Sequence, residues 1–513
     1  MSYWTGVRRM GRSTKTSRRR GGYELKPTPK PKRQIRQSQA AQERILRVGM
    51  TMLLLTLAIF SSSAAGQTLH MPPHEKYVLK NGLTVLLLEK HGVPLINVYA
   101  LVKTGAAADP AGEEGLASVT AGLLRKGTKA RSAQQFAADL DYIGGTFEAE
   151  AGADFSSVSE EFLTKDAERG LGLLSDALLH PTFPQDEVDK LLAQALDGVR
   201  GAKDDPQQVL GAYYDGYLYG THPYGRPAGG DEVSLQRIKR DAVMKFYETN
   251  YVPANVLLAV AGEFNGAEMR KKLEDVFGAW AARSVKNEAI PPTAPVKSKR
   301  LLLVDKPDAT QTYFALGNVG IARNDPDRVA IRVVNTIFGG RFTSELNEAL
   351  RVESGYTYGV SSFFDARKAP GPFGIFSFTK NETTAPAIDL ALQVLQKLHK
   401  QGVTEEQLKS AKSYIKGQFP PNIETSRQLA QIIASYEFYG LSDDEINQLE
   451  ARVDAVTPEI AKRVIDKHFP AENLVFVLIG KASEIGPAVE KYAEKRDARA
   501  ISEPGFWPPP EKK

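Results

Sequence analysis

The sequence predicts an α+β protein made of two homologous domains, and three observations carry that prediction. Matched signals recur about 218 residues apart, short apolar strands alternate with long amphipathic helices, and a Pro-rich polar stretch separates the two sets. Mixtures of this kind pack helices on one face of a sheet. The chain has 513 residues, 42% hydrophobic and 25% charged, which suits folded domains and is long enough for two or three cores.

The repeat sets the frame. Asn250-Tyr251-Val252-Pro253-Ala254-Asn255 runs into an apolar strand, 256–261, that ends at Gly262. His468-Phe469-Pro470-Ala471-Glu472-Asn473 runs into a second, 474–479, that ends at Gly480. Tyr251 and Phe469, Asn255 and Asn473, and Gly262 and Gly480 each stand 218 residues apart. Asp109-Pro110 and Asp325-Pro326 repeat the match at 216. Helical patterns follow each strand, over 267–280 and 482–495. In the first half, 83–89, 95–103 and 155–162 read as strands, and 115–125, 133–143 and 186–202 as helices. Gly144-Gly145 supplies a helix stop. The predicted units are a leader at 1–65, a first domain at 68–286, a linker at 287–299, a second domain at 300–500 and a tail at 501–513.

The net charge of +5 is an average over unlike parts. Residues 1–49 hold fourteen Lys and Arg against two Glu, so the remainder carries 52 basic and 59 acidic side chains. That acidic body argues for no nucleic-acid partner. The apolar run 48–60 follows Arg44 and Arg47 and precedes Ser-Ser-Ser-Ala-Ala-Gly, the pattern of a secretory signal cleaved after Ala65. It is shorter than the about 20 apolar residues of a membrane span. The expectation is therefore an exported, periplasmic protein with no stable span once the signal is removed. A signal anchor, and mitochondrial residence on account of the Arg-rich start, are the alternatives.

Chemistry is easier to exclude than to find. With no cysteine, the chain has no thiol nucleophile, disulfide or thiolate metal site. None of its seven histidines lies in His-x-x-Glu-His or His-Glu-x-x-His, the helical motifs that put two imidazoles on one face for zinc. His70 and His74 have Pro72 and Pro73 between them, and His222 reads as a loop hydrogen-bonder. There is no phosphate loop, no dinucleotide fingerprint and no nucleophile elbow.

Several local signatures together resemble the pitrilysin-type (M16, insulinase-like) metallopeptidases. These are Leu79-Lys80-Asn81-Gly82-Leu83-Thr84-Val85, Asp109-Pro110, Gly115-Leu116-Ala117 and Lys126-Gly127-Thr128, with His222-Pro223-Tyr224-Gly225 and Asn250-Tyr251-Val252-Pro253-Ala254-Asn255. The resemblance covers about 76–500 and is similar in plan to bacterial two-domain members and mitochondrial processing peptidase subunits. It implies two α/β-roll domains, each a mixed sheet packed with helices, that form half of a clamshell. In active members, a His-x-x-Glu-His helix and a Glu about 76 residues later hold zinc and activate water. The matching positions here are Ser118, Ala121, Gly122 and Gly198, which leave no metal ligand set and no general base. Read without the family, the same small residues mean close helix packing.

The resemblance also assigns Arg351 and Tyr358, in Leu350-Arg351-Val352-Glu353-Ser354-Gly355-Tyr356-Thr357-Tyr358, to substrate binding. The structural alternative pairs Arg351 with Glu353 or Glu345 and makes Tyr358 a strand packing residue. The expected function is a catalytically inactive subunit of a heterodimeric zinc endopeptidase. It would bind peptide beside a sister subunit that carries His-x-x-Glu-His and the zinc, with no cofactor of its own. The other reading is a peptide-binding scaffold of the cell envelope with no peptidase in its complex.

Overall fold

The computed structural model describes residues 70–283 and 289–506. The leader, the Ala65 cleavage site and residues 507–513 lie outside the described residues. No described helix is long and apolar enough to cross a membrane.

Two six-stranded mixed sheets organise the chain. The first contains β1 (Glu75–Val78), β2 (Thr84–Glu89), β3 (Leu95–Val102), β4 (Thr146–Ala151), β5 (Ser156–Leu163) and β6 (Val256–Gly262) in the order β1-β2-β6-β3-β5-β4. The second contains β7 (Arg300–Asp305), β8 (Gln311–Val319), β9 (Val360–Phe364), β10 (Pro372–Lys380), β11 (Val475–Gly480) and β12 (Lys495–Ala500) in the order β12-β7-β11-β8-β10-β9. Five successive positions of the two sheets, β2 to β4 and β7 to β9, correspond strand for strand, with β2–β6 and β7–β11 parallel and the pairs that follow them antiparallel. The strands β6 and β11 are buried along their whole length, which explains their unbroken apolar runs.

The longer helices of the first half are α1 (Leu116–Leu123), α2 (Ala133–Tyr142), α3 (Ala167–Leu179), α4 (Gln185–Ala202), α5 (Pro206–Tyr219), α6 (Arg240–Asn250) and α7 (Gly266–Phe277). Those of the second half are α8 (Arg328–Phe338), α9 (Thr384–Gln401), α10 (Glu405–Gln418), α11 (Ser426–Tyr439), α12 (Pro458–His468) and α13 (Ala482–Val489). Capping boxes start α2, α10 and α11, each a Ser or Thr answered by a Gln three residues on.

The two halves trade one helix each. Helix α5 buries Val209, Leu210, Tyr213, Tyr214, Tyr217 and Leu218 against β7, β8 and β11 of the second sheet. Tyr214 Oη donates to Phe373 O at 2.6 Å and Tyr219 Oη to Pro370 O at 3.1 Å. Gly317 makes this seat possible, because a Cβ there would run into both Phe373 O and Tyr214 Oη. In return, α11 buries Leu429, Ala430, Ile433 and Ala434 against Leu86, Leu88, Tyr99, Leu101 and Leu257 of the first sheet.

Three details depart from the sequence reading. The helix expected over 482–495 ends at Val489, and Lys495–Ala500 instead joins β7 in parallel. A 3-10 turn over Glu490–Tyr492 follows the helix, and there the Tyr492 ring stacks on Phe476 at 5.3 Å with its hydroxyl within hydrogen-bond reach of Asp389 and Ala385 O. The expected tail is packed as far as Phe506. Lys203 Nζ donates to Glu503 O and Gly505 O, Glu232 accepts from Gly505 N, and Phe506 stands edge-on to Tyr213 at 5.1 Å. The linker is fastened as well, through Val296 to Asn318 and through Thr293 to Pro370 O.

Candidate functional site

Helix α1 starts at Gly115, whose φ of 96° only glycine holds without strain. Asp109 anchors that start, since its carboxylate accepts from Gly115 N at 2.8 Å and Ala117 N at 2.9 Å. Burial pushes the Asp109 carboxyl up to about 7 against the pull of those two donors. Arg226 donates to Asp109 O at 2.7 Å and so ties the 225–230 loop to the helix.

The first three positions assigned to the degenerate metal site sit on α1. Ser118 Oγ donates to Ala228 O at 2.6 Å, Ala121 is buried, and Gly122 faces Leu191 of α4, whose Cδ2 would lie 3.1 Å from an added Cβ. Gly198 stands two turns further along α4, with nothing within 4 Å of an added Cβ. It lines a cleft of about 650 Å³ that also includes Ala228 and Gly229. The donor set at these four positions is one neutral hydroxyl already committed to a carbonyl, so it does not fit a zinc ion.

Charged and phenolic groups converge on the same cleft. Asp154, buried, accepts from Tyr224 Oη at 2.5 Å, Tyr439 Oη at 3.0 Å and Lys368 N at 2.7 Å. Arg367 pairs with Asp215 at 2.6 Å and with Asp365 at 2.7 Å. Burial pushes the Asp215 carboxyl up against the pull of Arg367, and it raises the Tyr224 and Tyr439 phenols. These groups hold the two halves together around the opening, and no carboxylate lining it is free of a partner among the described residues. Sequence reading missed this network apart from Tyr224, because its members come from five separated segments.

Arg351 and Tyr358 lie elsewhere and line neither this cleft nor one another's ion pairs. Arg351 belongs to a π-helical turn, Glu348–Glu353, a geometry frequent at functional sites. Its guanidinium sits over the Phe342 ring at 4.5 Å and has no ion pair among the described residues. Glu345, the alternative partner, accepts from Gln407 Nε2 at 2.7 Å and faces Lys397. Tyr358 is 78% exposed and outside any strand. His222 is a loop hydrogen-bonder as read: Nδ1 accepts from Tyr224 N and Nε2 donates to Pro291 O.

Asp325, Asp327 and His468 bring three donor atoms within 4.8 Å of one another. Asp327 is already surrounded by cations, with Arg463 at 2.7 Å, Lys467 at 2.9 Å and His468 at 3.0 Å. The Arg463 hydrogen bonds hold its carboxyl well below the usual carboxylate range. This is an ion-pair hub that staples α12 to the start of α8.

A duplicated mixed sheet with one helix exchanged in each direction defines a two-domain α/β frame, and the four positions on α1 and α4 hold no zinc-ligand set. The comparisons place it further. The profile described as Insulinase (Peptidase family M16) matches residues 84–232, and the one described as Peptidase M16 inactive domain matches residues 237–415. The chain belongs to the M16 peptidase family. An uncharacterized zinc protease of Mycobacterium leprae is 26% identical over 403 residues, which covers 77% of this chain and 90% of that protein. The uncharacterized zinc protease YmxG of Bacillus subtilis is 23% identical over 381 residues, or 74% and 92% of the two chains. A crystal structure of a peptidase M16 inactive domain from Pseudomonas fluorescens superposes with a TM-score of 0.75 at 26% identity, over 80% of this chain and 98% of that one. A protease from Helicobacter pylori shares the fold at a TM-score of 0.75 and 21% identity, over 80% and 100%.

Proposed function

We propose that this chain is the non-catalytic, substrate-side subunit of a heterodimeric zinc endopeptidase whose sister subunit carries His-x-x-Glu-His and the metal. The observation that carries the reading is the mismatch between frame and donor set. The frame is that of a peptidase family, while Ser118, Ala121, Gly122 and Gly198 offer zinc a single committed hydroxyl. Arg351 and Tyr358 support a substrate role, because neither is committed to an ion pair among the described residues. A guanidinium offers forked donors to a peptide carbonyl or carboxylate, and a phenol can donate to an oxyanion. Export through the 1–65 leader completes the proposal.

The test is affinity purification of the tagged chain from its native cells, followed by mass spectrometry and peptidase assays on the recovered assembly. A stoichiometric sister bearing His-x-x-Glu-His, with zinc and activity only in the assembly, is the expected result. In that assembly Arg351→Ala lowers activity about tenfold or more and leaves the subunits associated. Recovery of the chain alone, or with unrelated envelope proteins, leaves the scaffold reading in its place.

A further inference from the structure

A second cleft, of about 450 Å³, lies between α8 and α11, a volume within the ordinary range for small-molecule sites. Arg323, Arg328 and Arg332 line it. Arg328 and Arg332 stand one turn apart on α8, and Arg323 precedes that helix. The acid in the wall is Glu445, which is shared between Arg328 and, at 2.9 Å, Arg452 from outside the cleft. Arg323 and Arg332 have no ion pair among the described residues, and Arg323 only approaches the Tyr439 ring at 6.0 Å. Two acids act from nearby without lining the cleft. Asp325 Oδ1 accepts from Asp327 N at 2.8 Å, and Asp443 faces His74 at 3.8 Å.

Positive charge therefore exceeds negative charge in this cleft. Burial first, and then the charge of Arg323, pushes both the Arg328 and the Arg332 guanidinium groups down. Cations gathered with enough carboxylates around them do the opposite, as Arg367 does between Asp215 and Asp365. The rest of the lining divides into two kinds. Gln431, Ser435 and Tyr436 add side-chain donors that make no hydrogen bond among the described residues, and Ile321, Phe364, Phe419 and Ile432 form an apolar wall.

We propose that this cleft is a binding site for a small amphiphilic anion, with a carboxylate or phosphate head taken by Arg323 and Arg332 and an apolar body laid against Ile321, Phe364, Phe419 and Ile432. The guanidinium groups match either head in geometry and charge, and the apolar wall selects against bare inorganic ions. The site lies apart from the degenerate metal positions, and nothing in the subunit proposal requires it.

Calorimetric titration of the full chain with decanoate, decyl phosphate and decanol, each kept below its aggregation concentration, tests the site. Saturable one-to-one binding of at least one charged amphiphile is expected, with decanol at least about tenfold weaker. Arg323→Ala and Arg332→Ala should each weaken the charged ligand by about tenfold or more while the thermal midpoint stays put, since neither side chain holds an ion pair. The preference between decanoate and decyl phosphate identifies the head group. No binding of either anion, equal binding of decanol, or unchanged affinity in both variants overturns the proposal.

Discussion

Glu160 offers the sharpest test of the physical reading of this fold. It sits in β5 opposite Val98 of β3 and Phe147 of β4, on the same face as Val158 and Phe162. It is 1% exposed, and neither carboxyl oxygen has a hydrogen-bond partner among the described residues. Burial raises its pKa well above 4.5, because the apolar surroundings disfavour the charged form. The sign follows from linkage. A carboxyl raised in the folded state leaves stability intact below its unfolded pKa, and stability is lost as pH rises from there toward the folded value. Each pH unit in that window costs about 1.4 kcal/mol. Glu160→Met removes the titrating group and keeps the length of the side chain. Its advantage over the native protein should therefore widen as pH rises above the ordinary carboxyl range, by up to about 1.4 kcal/mol per pH unit. In a scan of melting temperature against pH this is on the order of 2 °C per unit for a chain of this size. A difference that stays flat with pH, or that shrinks as pH rises, would mean that the carboxylate has a partner and that the argument is wrong.

Other expectations bear on the exchanged helices, the metal positions and the hub. Gly317→Ala drives a methyl into Phe373 O and the Tyr214 hydroxyl, and should cost several kcal/mol, read as a large drop in melting temperature. Tyr214→Phe removes only the 2.6 Å bond to Phe373 O and should cost about 1–3 kcal/mol. The isolated chain, dialysed against zinc and analysed by plasma mass spectrometry, should retain no stoichiometric metal, and Ser118→Ala should leave that result unchanged. Asp327 is depressed in the folded state, so its contribution is present above about 3.8 and lost as pH falls below that. Asp327→Asn should therefore lower the melting temperature at pH 7 and converge with the native protein in acid.

Much of the fold was legible because its signals are local. The apolar runs of β6 and β11, the Asn–Gly frame around them and the strand starts at 83 and 95 fall within a residue or two of the observed limits. The edge strands were not legible, for a physical reason. The strand β4, Thr-Phe-Glu-Ala-Glu-Ala, and β12, Lys-Arg-Asp-Ala-Arg-Ala, carry charge where an inner strand carries Val or Leu, so propensity argues against them. Glu160 was hidden differently. Strand parity places it inward with Val158 and Phe162, yet its neighbour Glu161 makes the pair look like ordinary surface charge. At the candidate site, the sequence supplied only the side-chain identities at 118, 121, 122 and 198. What fills the space, namely Ala228 O for Ser118 and Leu191 for Gly122, depends on contacts 69 to 110 residues away in the chain.

The helix exchange lay beyond sequence reading altogether, because an amphipathic pattern says which face is buried and not which sheet buries it. Helix α5 is written beside the first sheet's strands and seated on the second sheet, and α11 does the reverse. Each sheet thus has one face completed by the other half's sequence, and the Asp154, Tyr224 and Tyr439 cluster closes the seam between them. That arrangement places the fold's cohesion in the exchanged helices and the seam, away from Ser118, Ala121 and Gly122 on α1. Small residues at those three positions therefore leave that cohesion intact.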